Sequence, residues 1–166
     1  GISACAVCDG ALPIFRDRHL VVIGAGDAAA EEAHYLTKFA SKVTMLVRRD
    51  EMRASKVMQE RVLHHNKIEI LRYTEGKEVL GDGDVMTGIR VFNNQTNEER
   101  DIEAGGLFYA IGHKPNTEFL DGQINLDEVG YIMTYGRLAE EVISGKQDLS
   151  PEQDAKFKDG KTRFTT

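Results

Sequence analysis

Four apolar residues, Leu20-Val21-Val22-Ile23, run directly into Gly24-Ala25-Gly26-Asp27-Ala28-Ala29, and this junction constrains the fold more than any other stretch. It reads as a buried strand, a tight turn and a helix over about Asp27 to Phe39, whose inner face carries Ala29, Ala33, Leu36 and Ala40. Ser41-Lys42 then leads into a second apolar run, Val43-Thr44-Met45-Leu46-Val47, so the two strands lie parallel with a right-handed crossover between them. Gly24, Gly26 and Ala29 complete a G-x-G-x-x-A pattern. The first position permits the tight turn, the second lets backbone approach a pyrophosphate, and the third keeps helix and strand close. The free N–H groups of the helix start then face the anion. A glycine match alone is equally compatible with a packing turn; the order of strand, turn, helix and strand favours a dinucleotide site.

The unit then repeats. A helix over about Ala54 to His65 carries Val57, Met58, Val62 and Leu63 as an apolar stripe, and Ile68-Glu69-Ile70-Leu71 follows as a third strand. From Glu78 the period shortens: Val79-Leu80, the turn Gly81-Asp82-Gly83-Asp84, Gly88 to Phe92 and Asp101-Ile102-Glu103 predict an antiparallel excursion of two or three strands covering one sheet face. Leu107-Phe108-Tyr109-Ala110-Ile111 returns as an apolar strand ending at Gly112-His113-Lys114-Pro115, a loop at a carboxyl end, where open α/β sheets bind ligands. The expected class is α/β: a Rossmann-like parallel sheet with helices and an antiparallel β-meander, three layers of β/β/α type. Residues 1–134 form the expected nucleotide domain, and 135–166 a charged extension or insertion, with a helical turn or two over Leu138 to Ile143.

A length of 166 residues with 41% apolar content suffices for one core, and a formal charge of −6 disfavours a nucleic-acid partner. No segment approaches the roughly 18 uninterrupted apolar residues of a membrane span, and the first residues lack a secretory layout. Two cysteines are too few for a disulfide scaffold. A reducing compartment follows, the cytoplasm first, with chloroplast or mitochondrion as alternatives.

Against this acidic background Arg48, Arg49 and Arg53 cluster after the second strand, where NAD enzymes place a carboxylate for the ribose hydroxyls. Guanidinium forks bind a 2′-phosphate bidentately, which favours NADPH; the plainer reading is a solvated strand end, with Asp50 and Glu51 as ion-pair partners. Upstream, Cys5-Ala6-Val7-Cys8-Asp9-Gly10 has dithiol spacing. Such a pair stores two electrons as a disulfide and passes them on through a mixed disulfide. Asp9 reads as a proton source for the emerging thiol where burial permits, or else as a turn residue. Zinc needs four ligands, and there is neither a second CxxC nor a spaced histidine pair, so no metal site is expected.

Ser3 to Gly10, the Gly24 turn, Val47-Arg48-Arg49-Asp50-Glu51-Met52-Arg53-Ala54 and Gly106 to Pro115, in this order and spacing, closely resemble the low-molecular-weight, bacterial and plant type of NADPH-dependent thioredoxin reductase. The likeness covers about Gly1 to Tyr131 and includes Phe119-Leu120-Asp121-Gly122-Gln123. It implies a homodimeric two-domain flavoenzyme in which electrons pass from NADPH through FAD to the Cys5–Cys8 disulfide and on to thioredoxin. By that resemblance Cys8 faces the flavin, Cys5 attacks thioredoxin and Asp9 protonates the departing thiolate. The implied coenzyme contacts are Gly24, Gly26, Asp27, Ala28 and Ala29 at the turn, Arg48, Arg49 and Arg53, and Ile111, Gly112 and His113 in the last loop.

Two departures stand out. The family's FAD-binding segments are missing, so the chain resembles an excised NADPH domain that binds NADPH without turning over thioredoxin. Tyr135 to Lys161 is longer and more charged than the family's connector, while Thr162 to Thr166 resembles the strand re-entering the FAD domain; an insertion and an unrelated tail both fit. The rival readings are a sister flavoprotein serving a peroxiredoxin and a non-catalytic NADPH-binding module.

Overall fold

A computed structural model describes residues 1–145. They fall into two compact units, one of Gly1–Gly112 and one beginning at His113. In the first, a five-stranded parallel sheet is built from β1 (Ile2–Ser3), β2 (His19–Ile23), β3 (Lys42–Val47), β4 (Ile68–Arg72) and β8 (Gly106–Tyr109), in the order β1-β8-β2-β3-β4. Helices α1 (Ala6–Asp9), α2 (Asp27–Leu36) and α3 (Lys56–Leu63) belong to it, and β5 (Thr74–Gly81), β6 (Met86–Asn93) and β7 (Glu98–Glu103) form a separate antiparallel sheet. The expected three-layer α/β class is what the molecule has.

Alternation along the strands sorts the two cores. Leu20, Val22, Val43, Met45, Val47 and Phe108 share one cluster with Ala29, Ala33, Leu36 and Val62 of the helices. Their neighbours Val21, Leu46 and Leu107 point the other way, onto Met86, Ile89 and Val91 of the antiparallel sheet. Both faces being covered explains why the strands read as continuous apolar runs. The small residues of α2 let it lie close on the sheet, and the Phe15 and Phe108 rings meet at 4.9 Å.

Several boundaries differ from expectation, each for a local reason. Helix α2 ends at Leu36 because the Thr37 hydroxyl donates to the His34 carbonyl at 2.6 Å and the chain closes in tighter turns through Phe39. Helix α3 starts at Lys56, and its expected stripe is only partly buried: Val62 is inside and Met58 half-buried, but Val57 is 65% and Leu63 45% exposed. Gln59, not Val57, turns inward, donating to the Met52 and Ala54 carbonyls at 3.2 and 2.7 Å. Strand β5 begins at Thr74, four residues before the expected Glu78, because Tyr73 adopts a left-handed φ of 56° and redirects the chain into the second sheet within one residue. Strand β1, unexpected from so short a segment, pairs through Ile2 and Ser3 with Leu107 and Phe108.

At the sheet's amino edge the His19 ring meets the Thr44 hydroxyl at 2.8 Å; Thr44 donates to Glu69 at 3.2 Å, and Lys42 pairs with Glu69 at 2.8 Å. The Lys42 hydrogen bond holds the Glu69 carboxyl below its ordinary range. Burial lowers the His19 pKa, outweighing the Glu103 carbonyl and the Glu69 charge that favour its protonated form.

In the second unit Asp127 organises a turn, accepting from the N–H groups of Val129 and Tyr131 at 2.9 and 2.8 Å and pairing with Arg137 at 2.7 Å. Leu126 bridges Ile132, and α4 (Tyr135–Ile143) starts earlier than the expected Leu138. The charged stretch from Asp148 and the segment Thr162 to Thr166 lie outside the described residues.

Two outcomes follow. Phe108→Ala, which empties the centre of the helix-side core, lowers unfolding free energy by about 3–5 kcal/mol in urea titration. Because folding depresses the His19 pKa, the neutral ring's contribution is complete above the unfolded value of about 6.5 and is lost as pH falls toward the lower folded one. Urea midpoints therefore drop between pH 7.5 and 5.5, and His19→Gln flattens that drop.

Candidate functional site

All five parallel strands end on the same edge, which gathers residues distant in sequence. After β2 comes the Gly24 turn, after β3 the arginine segment, after β8 Ala110 to Gly112, and after the edge strand β1 the two cysteines. A cleft of about 600 Å³ opens there, floored by Ile23 and Leu46, rimmed by Gly24 to Ala28 and by Arg48, Arg49 and Arg53, and walled by Thr74 to Gly76 and Tyr109 to Gly112.

The turn is shaped by close approach. Gly24 sits at φ 149°, and a Cβ there would run into the Ala110 carbonyl and come within 2.8 Å of the Ala29 Cβ. Gly26 is different: a Cβ would meet nothing within 4 Å, so its missing side chain leaves open space above the start of α2. The first intrahelical bond runs from the Ala30 N–H to the Gly26 carbonyl at 3.1 Å, leaving the preceding N–H groups for an anion. The Gly24 N–H donates to Leu46 at 3.2 Å and the Ala110 N–H to Ile23 at 2.9 Å, anchoring the turn to both flanking strands.

The arginine segment is tied to this turn. The N–H groups of Arg53 and Ala54 both donate to the Ala25 carbonyl, at 2.7 and 2.9 Å, and the Asp27 carboxylate accepts the Ser55 N–H at 2.8 Å. That bond lowers the Asp27 pKa. Asp27 thus caps the start of α3 with its side chain. Arg48, Arg49 and Arg53 are exposed, and among the described residues none forms an ion pair or side-chain hydrogen bond. The plainer alternative, in which Asp50 and Glu51 pair with these arginines, is not what the structure has. Asp50 stands beside the Tyr73 phenol, whose pKa burial and the Asp50 carboxylate raise. Three unpaired guanidiniums on one rim can receive an anion, although the Glu51 and Glu75 carboxylates line the same cleft.

Cys5 and Cys8 form a disulfide with Cα atoms 5.3 Å apart. Cys5 caps α1, its Sγ accepting the Cys8 N–H at 3.2 Å, and Ala6 between them is buried in the helix-side core, which roots the motif. The Ser3 hydroxyl donates to the half-buried Asp9 carboxylate at 2.6 Å and accepts the Cys5 N–H at 3.0 Å, bracketing the motif from β1. Cys8 is exposed, with apolar Val7 (69% exposed) beside it in sequence. No group of three or more His, Cys, Asp or Glu suited to a metal occurs among the described residues.

Residues 1–142 match the family model for pyridine nucleotide-disulphide oxidoreductases. The chain belongs to that family. It is 50% identical over 166 residues to a protein named thioredoxin reductase from Debaryomyces hansenii, covering all of this chain and 52% of that one. A Dictyostelium discoideum protein of the same name is 59% identical over 134 residues, covering 81% of this chain and 42% of its own. Among solved structures, the thioredoxin reductase from Giardia duodenalis superposes with a TM-score of 0.74 at 44% identity, covering 81% of this chain and 43% of that one. The chain therefore spans about half the length of the curated relatives it matches.

Of the residues singled out in the sequence, the cleft gathers Gly24, Gly26, Asp27, Ala28, the three arginines, Ile111 and Gly112. Ala29 lies behind the turn, packed against Gly24, and His113 is the first residue of the second unit, one past the end of the lining. Sequence reasoning missed Ile23, Ala25, Leu46, Glu51, Thr74 to Gly76, Tyr109 and Ala110. Those at strand carboxyl ends were recoverable from the edge rule; the Thr74 to Gly76 wall was not, since it comes from the other sheet.

The two glycines make a stability contrast. Gly24→Ala costs about 1–3 kcal/mol in thermal unfolding, from left-handed strain and steric conflict. Gly26→Ser keeps a helix-capping residue and leaves the melting temperature within about 2 °C, yet weakens dinucleotide binding by narrowing the approach.

Proposed function

We propose that this chain is the NADPH-binding and dithiol portion of a thioredoxin reductase, residues 1–134 forming that domain and 135–166 leading toward a flavin domain. The observation that carries the reading is the triad of unpaired guanidiniums on a glycine-turn cleft, on the sheet edge that also holds a Cys5–Cys8 disulfide. Relatives named thioredoxin reductase, one of them called mitochondrial, support it.

The cleft fits a phosphorylated dinucleotide: Gly26 leaves room for a pyrophosphate, the N–H groups of Asp27, Ala28 and Ala29 meet its charge, and Arg48, Arg49 and Arg53 take a 2′-phosphate. Ile111 and Gly112 close the opposite wall, and His113 follows them in sequence. A carboxylate at the arginine positions would suit NADH; cations there select NADPH. When bound, nicotinamide and flavin supply the electron pair, the flavin being held by sequence that this chain does not span.

The residues here do the thiol chemistry. Two electrons and two protons convert the Cys5–Cys8 bond to two thiols, Cys8 receiving the electrons. The Cys5 thiolate, supported by the Cys8 N–H, attacks one sulfur of thioredoxin's disulfide, and Asp9, oriented by Ser3, supplies the proton to the departing thiolate. The Cys8 thiolate then displaces thioredoxin from Cys5, releasing reduced thioredoxin and restoring the disulfide. The family resemblance supports this division of labour and a homodimeric whole enzyme, in the cytoplasm or in a comparably reducing organelle.

Calorimetric titration of the chain with NADPH and NADH tests the reading. NADPH binds at least about tenfold tighter, the equivalent of one charge-assisted contact. Arg48→Glu removes that preference without weakening NADH; equal binding by the unaltered chain refutes the assignment. Cys8→Ser in the full-length enzyme abolishes thioredoxin reduction while leaving NADPH affinity unchanged.

A further inference from the structure

Asn94, just past the end of β6, is exposed and belongs to the antiparallel layer, yet its side chain serves the cleft. Its amide Nδ2 donates to the Arg48 carbonyl at 2.9 Å and to Glu75 Oε1 at 3.2 Å. Both partners are acceptors only, so the NH2 end must face them. The backbone follows suit: the Asn94 N–H donates to the Tyr73 carbonyl at 2.8 Å, and the Tyr73 N–H reaches the Arg49 carbonyl at 3.4 Å. The arginine segment is thus fastened at both ends, by Asn94 at Arg48 and by Ala25 and Asp27 at Arg53 to Ser55.

Glu75 lines the same cleft as Arg48, Arg49 and Arg53. One amide nitrogen touches both its carboxylate and the Arg48 backbone, yet Glu75 forms no ion pair with the arginines that line the same cleft. An ion pair there would neutralise the charge that an incoming phosphate needs, and would have to be broken before binding. Asn94 satisfies one Glu75 oxygen instead.

We propose that Asn94 is a positioning residue for 2′-phosphate selectivity, pinning the arginine segment and holding Glu75 off the guanidiniums. The inference rests on the coenzyme reading above. It gives the antiparallel sheet a part in choosing the coenzyme, without any of its side chains touching the phosphate.

Titrations with adenosine 2′,5′-bisphosphate and 5′-AMP on the full chain test it, since the probes differ only in the 2′-phosphate. Asn94→Ala weakens the bisphosphate by about fivefold to tenfold, the worth of one ordinary hydrogen bond, and leaves AMP within about twofold, with an unchanged melting temperature. Adding Glu75→Gln to Asn94→Ala recovers the part of the loss that comes from the released Glu75 charge, a rescue that general loosening would not produce. Unchanged bisphosphate affinity in Asn94→Ala, equal weakening of both probes, or no recovery in the double variant each overturns the inference while the coenzyme reading stands. Equal binding of both probes by the unaltered chain overturns the coenzyme reading, and this inference with it.

Discussion

The Ala25 carbonyl, inside the glycine turn, accepts the N–H groups of both Arg53 and Ala54, and so joins two loops separated by a helix and a strand. Without that shared acceptor the turn would be an anion site with nothing to distinguish one dinucleotide from another. With it, the free N–H groups at the start of α2 and the three guanidiniums have a fixed spacing. Asp27 reinforces the link from the other side by capping the helix that follows Ala54. Each of these bonds involves backbone on at least one side, so the arrangement tolerates change in the cleft's side chains better than change in its loops.

Parallel pairing supplies the second constraint. When every strand of a sheet points one way, every strand exit lies on one edge, so motifs far apart in sequence become neighbours without any direct attraction between them. The dithiol motif and the nucleotide turn are brought to that edge by β1 and β2, separated only by β8. A two-residue strand is enough, because Ile2 and Ser3 pair in register with Leu107 and Phe108 at the sheet's buried centre. Ser3 then reaches both Cys5 and Asp9. The disulfide motif is therefore rooted in the same sheet whose strand ends carry the cleft.

Much of this was legible beforehand. Glycine spacing, the apolar runs of β2 and β3 and the arginines after β3 read correctly because each is local: a turn needs its glycine wherever it lies, and a doubly covered strand must be apolar throughout. The misreadings have one origin. Val57 and Leu63 were assigned inward by helical period, but a two-turn helix has room to bury little more than one residue, and Val62 occupies it while Gln59 satisfies nearby carbonyls. The preferred reading of the arginines as free of Asp50 and Glu51 agrees with the structure, where Tyr73, arriving from the next strand in a left-handed conformation, stands beside Asp50.

By itself, then, the chain's order of residues determined the α/β class, the location of the turn, the identity of the cationic segment and the presence of a vicinal thiol pair, since all four depend on neighbours within a few positions. Tertiary structure alone decided that the guanidiniums stand unpaired, that Asp27 works through its carboxylate as a cap, and that a wall of the cleft comes from the antiparallel sheet. The reason is physical: a charge's partner is chosen by distance in space, and Asn94 lies 46 positions from the Arg48 carbonyl it holds. No pattern along the chain records that distance until the sheets have packed.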